Sequence, residues 1–140
     1  MTLDRPSPAD LVVDTSAVVG ILLGEPAKRR LARIIASARG PLMSAGSVLE
    51  VLMVADGRAG AAGVAEAQRF IDQAGIVVVP VDGPTTIDAH RAWQRFGKGN
   101  HPAALNYGDC FTYALAARTE LPVLCVGDNF AQTDLEVIRP

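Results

Sequence analysis

The sequence predicts an α/β fold with a central, mainly parallel sheet of four to five short strands, and three observations point to it. Short apolar, β-branched runs recur at residues 11–14, 42–43, 76–81, 123–126 and 135–138. Segments with helical spacing separate them, the alternation that builds a parallel sheet covered by helices. A length of 140 residues, 49% hydrophobic and 20% charged, suits one packed domain rather than a disordered or multidomain chain.

The elements follow in order. Residues 11–14 read as a buried strand ending at Asp14, after which Thr15 or Ser16 caps a helix to about Leu23. Gly24-Glu25-Pro26 ends that helix and starts a second, since glycine suits a helix end and proline a first turn. Leu31, Ile34 and Ile35 form its apolar stripe, with Lys28, Arg29, Arg30 and Arg33 around it. Gly40-Pro41 breaks the pattern before a brief strand at 42–43, and Ser44 opens a nearly all-apolar helix to about Ala55. A Gly- and Ala-rich turn over 56–63 precedes a helix over 64–74. Residues 76–81 are a strong strand signal, bounded by Gly75 and Asp82-Gly83-Pro84. Pro84 suits the first turn of a helix that continues through Ile87, Arg91, Trp93 and Phe96 to Gly97. Residues 97–102 form a flexible loop, helical sequence runs from Ala103 or Asn106 through Arg118, and Pro122 introduces the strand at 123–126. Residues 1–10 are a flexible leader, and 11–140 the single domain.

A formal net charge of -2 gives no global attraction to a polyanion, so a nucleic-acid partner requires a local basic patch. Cys110 and Cys125 lie in apolar stretches without metal-ligand or C-x-x-C spacing, and read as reduced core residues of a cytoplasmic protein. No apolar run approaches the roughly 20 residues needed to span a bilayer. The first residues also lack the basic-then-apolar order of a signal peptide.

Four acids stand in apolar surroundings: Asp14, Glu50, Asp109 and Asp128. Burying an ionised carboxylate without compensation costs several kcal/mol or more, and bases are scarce near these four in sequence. Each has a capping explanation. Asp14 can cap the helix after it, Ser47 to Glu50 matches a capping box, Asn106 with Asp109 matches a capping pair, and Asp128 after Gly127 suits an Asx-turn. A helix start at Ser44 competes with the second of these, because it puts Glu50 nearly two turns inside. Asp14 and Asp128 each follow a strand, which places both at the carboxyl edge of the sheet, where ligands of such folds bind. Four coincidences at one edge favour a shared site. Oxygen ligands without a His/Cys cluster suit Mg²⁺ or Mn²⁺. Such an ion would relieve the mutual repulsion, polarise a phosphoryl oxygen and activate water for phosphodiester hydrolysis.

Asp14-Thr15-Ser16-Ala17 after the first strand, Glu50 on an apolar helix, Leu105-Asn106-Tyr107-Gly108-Asp109-Cys110 followed by Phe111-Thr112-Tyr113-Ala114-Leu115-Ala116, and Gly127-Asp128-Asn129-Phe130 with Thr133-Asp134 together resemble the PIN-domain ribonucleases. Within these the likeness is to VapC-type toxins of bacterial toxin–antitoxin pairs, and it covers nearly the whole chain from Leu11. The resemblance implies a three-layer α/β/α domain and a Mg²⁺- or Mn²⁺-dependent endoribonuclease acting on RNA. It also implies a homodimer held inactive by a cognate VapB antitoxin. On that reading Asp14 and Asp109 ligate the metal, Glu50 and Asp128 complete the catalytic acidic pocket, and Thr15 or Ser16 orients it or contacts substrate phosphate. Many relatives carry two acids before the Phe, where this chain has Asp128-Asn129-Phe130, which leaves Asp128 acting on the ion directly or only through water.

Arg91, Arg95, Lys98 and His101 cluster before the Asp109 segment and are candidates for RNA phosphate contacts. As a solvated helix face, Arg91 and Arg95 at i, i+4 need no partner. His90 and His101 read as surface residues, and Trp93 and Phe96 as core or dimer residues. Competing functions are a non-catalytic metal- and partner-binding module, a housekeeping RNA-processing nuclease, and a phosphotransfer domain using Asp14. The last fits poorly, because Ser16 stands where a haloacid-dehalogenase-type pattern needs a second Asp.

Overall fold

A computed structural model describes residues 9–140. Most of the expected leader lies outside the described residues, and Asp10 is already tied in, its backbone N–H donating to the Arg39 carbonyl at 3.1 Å. The elements run β1 (Val12–Val13), α1 (Thr15–Leu22), α2 (Lys28–Ser37), β2 (Leu42–Ser44), α3 (Ala45–Gln73), β3 (Val77–Val79), α4 (Gly83–Phe96), α5 (Tyr107–Thr119), β4 (Val123–Leu124) and β5 (Val137–Ile138). A short 3₁₀ turn at Phe130–Gln132 precedes β5.

All neighbouring strands pair in parallel, in the order β3-β2-β1-β4-β5. The chain builds outward from β1 in one direction through β2 and β3, then returns past α4 and α5 to lay β4 on the other side of β1. The junction of β1 and β4 is therefore the topological switch point, where the strand ends open a crevice.

Strand alternation separates the core into two layers. Leu11, Val13 and Leu124 pack with α1, α2 and α3, whereas Val12 and Val123 pack with α4 and α5. This is the three-layer arrangement that the resemblance implies. A fully buried Val or Leu contributes roughly 1.5–3 kcal/mol, so two such layers hold even the two-residue β1 and β4 firmly.

Three local expectations change. The predicted turn over 56–63 contracts to one residue: α3 continues through that region and breaks only at Gly60, whose φ of 58° and ψ of -148° lie outside the helical range. Glycine tolerates that backbone without a Cβ clash. The strand at 76–81 shortens to the edge strand β3, with Val77 and Val78 exposed. Of the two residues read as core or dimer, Phe96 is buried, whereas Trp93 is exposed with its indole stacked on His90. The loop at 97–102 is closed by backbone hydrogen bonds, including Lys98 N–H to the Leu105 carbonyl at 2.9 Å.

Candidate active site

Asp14 ends β1 and caps α1. Its Oδ2 accepts from the Ser16 backbone N–H at 3.1 Å and from Ser16 Oγ at 2.6 Å, and its Oδ1 accepts from Thr112 Oγ1 of α5 at 2.7 Å. The side chain is buried, at 4% exposure. The capping role and the site role thus fall on one carboxylate.

Glu50 lies nearly two turns inside α3, because that helix starts at Ser44, whose hydroxyl accepts from the Gly46 N–H at 3.3 Å. The Ser47–Glu50 capping box does not form. Close approach of α3 and α5 instead sets Glu50 against the backbone of Gly108, where an added Cβ would stand 2.9 Å from the Glu50 carboxyl carbon. A Cβ there would push the Glu50 carboxylate aside. The same approach repeats at Gly46, where a Cβ would meet Phe111 Cγ at 2.7 Å.

Asp109 occupies the first turn of α5 in a complete capping box: Asn106 Oδ1 accepts from the Asp109 N–H at 2.9 Å, and Asp109 Oδ2 accepts from the Asn106 N–H at 3.0 Å. Asn129 Nδ2 donates to the same Oδ2 at 3.3 Å. Burial raises the pKa of Asp109 above the ordinary carboxylate value, and the nearby charges of Asp14 and Glu50 raise it further, against the hydrogen bonds from Asn106 and Asn129. An acceptor at the amino end of a helix is also favoured by its dipole.

These three acids line one cleft of about 410 Å³ at the β1–β4 switch point, with Thr15, Ser16, Asn106, Gly127 and Asn129. Among the described residues, the ion pairs engage other acids and none of these three. The fourth expected member is elsewhere. Asp128 is 79% exposed at its side chain and pairs with Arg139, while its neighbour Asn129 turns into the cleft. A one-residue phase in a loop decides which of the two points inward.

The remaining expected contacts separate from the cleft. Thr15 lines it, but its hydroxyl donates inward to the Ser47 carbonyl at 3.3 Å. Ser16 holds Asp14 and also accepts from the Val126 N–H at 2.9 Å, tying the loop after β4 to the first turn of α1. Arg91 and Arg95 border a separate hollow with Tyr113 and Arg118, Arg95 pairs with Asp134 at 3.2 Å, and Lys98 is exposed. His101 Nδ1 accepts from the Ala103 N–H, and His90 stays on the surface. Cys110 and Cys125 are free and buried, their thiols pushed up to about 11 and about 12 by that burial.

Site residues that sequence reasoning missed are Asn106 and Asn129 in the cleft wall and the buried hydroxyls of Ser47 and Thr112. A signal for the hydroxyls existed. Ser47 precedes Glu50, and Thr112 follows Asp109, by three residues, so each shares a helix face with an acid.

The donor chemistry fits a hard divalent cation: among the described residues the cleft wall holds three carboxylates and no sulfur, imidazole, Lys or Arg. The described residues contain no tight group of three or more ligating His, Cys, Asp or Glu side chains. Mg²⁺ keeps several waters and takes one or two carboxylates directly, so the fit rests on the donor chemistry of the cleft wall and not on a preformed cage of ligands.

Comparison with known proteins follows the same line. A family model described as PIN domain matches residues 11–136. The chain is 42% identical over 127 residues to Ribonuclease VapC36 of Mycobacterium tuberculosis, covering 90% of this chain and 91% of that protein. It is 40% identical over 129 residues to Ribonuclease VapC of Mycolicibacterium smegmatis, covering 92% and 100%. Its fold is similar to that of VapC20 of M. tuberculosis, described as a sarcin-ricin loop cleaving toxin, with a TM-score of 0.76 at 16% identity over 94% of this chain and 100% of that one. A chain of the DNA-bound VapBC complex from Salmonella typhimurium is similar with a TM-score of 0.73 at 15% identity, covering 94% and 98%.

Proposed function

The chain belongs to the PIN-domain family, among the VapC ribonucleases, and from that premise we propose that it is an endoribonuclease, the toxin of a type II toxin–antitoxin pair. The observation that carries this reading is the shared cleft of Asp14, Glu50 and Asp109, three acids that no ion pair among the described residues engages. Mg²⁺ or Mn²⁺ is the cofactor, held by Asp14 and Asp109 with Glu50 completing the pocket. When bound it would supply charge to polarise the scissile phosphate and lower the pKa of water.

The chain's own residues then have separate tasks. Asp14 is the most constrained ligand, because donors grip both of its oxygens. Asp109 is held by its helix start and by Asn129, and repulsion from Asp14 and Glu50 makes its carboxylate a group that gains from a cation. Glu50, set against Gly108 at the cleft, takes the proton of the attacking water. Asp128, out of the cleft and paired with Arg139, has no direct part. A cognate VapB-type antitoxin, a homodimer and a cytoplasmic setting belong to the same proposal. None of the helices among the described residues is long and apolar enough to cross a membrane.

The test is direct. Purified protein with Mg²⁺ or Mn²⁺ should cut a structured RNA, and Asp14→Asn should fold but not cut. Equal cleavage by that variant sinks the mechanism. Growth arrest on expression, relieved by co-expressing the small open reading frame beside the gene, separates a toxin from a housekeeping nuclease.

A further inference from the structure

Behind the acids runs a chain of buried hydroxyls. Ser47 on α3 and Thr112 on α5 are both at 0% exposure. A threonine inside a helix commonly turns its hydroxyl back to the carbonyl one turn earlier, as Thr119 does to Leu115 at 2.8 Å. Thr112 instead donates across the fold to Asp14 Oδ1 at 2.7 Å. Its single hydrogen is thereby committed. In the 3.1 Å contact between Ser47 Oγ and Thr112 Oγ1, the serine must therefore be the donor. The order is Ser47 to Thr112 to Asp14, with each hydrogen directed toward the carboxylate.

The count of acceptor sites gives this chain a purpose. An ionised carboxylate offers about four lone-pair sites. Ser16 N–H and Ser16 Oγ fill Oδ2, and Thr112 fills one site of Oδ1. One site on Oδ1 remains for the cleft. Donors on both oxygens also stop the carboxylate rotating about its bond to the chain.

We infer that Thr112, backed by Ser47, is a positioning residue for metal-dependent RNA cleavage, holding Asp14 so that its one remaining acceptor site serves the cation. This rests on the nuclease reading of the cleft. The Thr112 hydroxyl touches neither ion nor RNA; it acts through Asp14, as partners behind metal ligands do.

Thr112→Val keeps the side-chain shape and removes the hydroxyl, and Thr112→Ser keeps the hydroxyl. Mn²⁺ binding to the RNA-free protein is read from loss of the free-ion EPR signal. Thr112→Val should weaken it about tenfold or more, with Thr112→Ser within about threefold of wild type, the range expected for partners behind ligands. Cleavage by Thr112→Val should lose kcat at saturating Mn²⁺ while KM for RNA stays unchanged, which loss of packing alone does not produce. Should Thr112→Val fail to fold, Thr112→Ala takes its place with the same expectation. Wild-type Mn²⁺ affinity and kcat in a folded, hydroxyl-free variant overturn this inference alone. A wild-type protein that neither binds Mn²⁺ nor cuts RNA overturns the nuclease reading and this inference together.

Discussion

Two sets of three acids lie around α5, and the protein treats them in opposite ways. On the α4 side, Asp88 pairs with Arg118 at 2.8 Å, Asp82 lies 3.9 Å from the same guanidinium, and Asp134 pairs with Arg95 at 3.2 Å. At the strand ends, Asp14, Glu50 and Asp109 share a cleft with no Lys or Arg in its wall. Both groups contain helix caps, Asp82 for α4 and Asp14 for α1. Neither acid count nor capping therefore distinguishes a structural cluster from a functional one. Internal neutralisation does: arginines pair with one group, whereas no ion pair among the described residues reaches the other.

The sharpest way to break this contrast is to remove one acid from each side. Asp109→Asn should lower RNA cleavage at least about 100-fold, since even partners behind a metal ligand cost about 10–100-fold. Asp88→Asn should leave the cleavage rate unchanged and cost no more than about 1 kcal/mol of stability, the ordinary worth of an accessible ion pair. Equal losses of activity from the two substitutions would erase the distinction.

Next in size is the response to metal removal, followed by thermal unfolding. Mn²⁺ should raise the melting temperature of the wild-type protein and not that of Asp109→Asn, with EDTA reversing the rise. The pH dependence has a definite sign. Because the pKa of Asp109 is raised on folding, the native state holds that proton more tightly than the unfolded chain. The stability it contributes is full below the unfolded value, about 4, and is lost as pH rises through the folded value. In metal-free buffer the wild type should lose stability over that window, and Asp109→Asn should lose less.

A smaller effect separates the two residues before Phe130. Asn129→Asp adds a charge beside Asp109, so it should tighten Mn²⁺ binding in a titration while lowering the metal-free melting temperature. Asp128→Asn should change neither, because Asp128 faces solvent and Arg139. The smallest effect is expected from Asn106→Ala, which removes the cap of α5 at a cost of about 1 kcal/mol, measured by urea unfolding.

Much of this was readable before any coordinates. Val12 and Val123 in one layer and Val13 and Leu124 in the other follow from the alternation of a strand buried on both faces. Asp14 at a strand end and Asp109 after Asn106 were visible as local patterns. Their capping and site roles, which looked like rivals, coexist, since a carboxylate has acceptor sites for both. Asp128 was misplaced because alternation carries no phase through a loop, and Gly127 at a φ of 98° swings the chain so that Asn129 turns inward.

By itself the sequence determined the strand–helix alternation, the sheet edge that bears ligands, and four acids lacking counter-charge nearby in sequence, all properties of residues close in the chain. The tertiary structure alone decided which acids meet, that Asn129 rather than Asp128 joins them, that Thr112 reaches Asp14 across 98 positions, and that arginines neutralise the other cluster. Those outcomes depend on how closely α3 and α5 approach, on loop conformation and on long-range pairing of charges, and these are set by packing between distant segments rather than by any pattern along one of them.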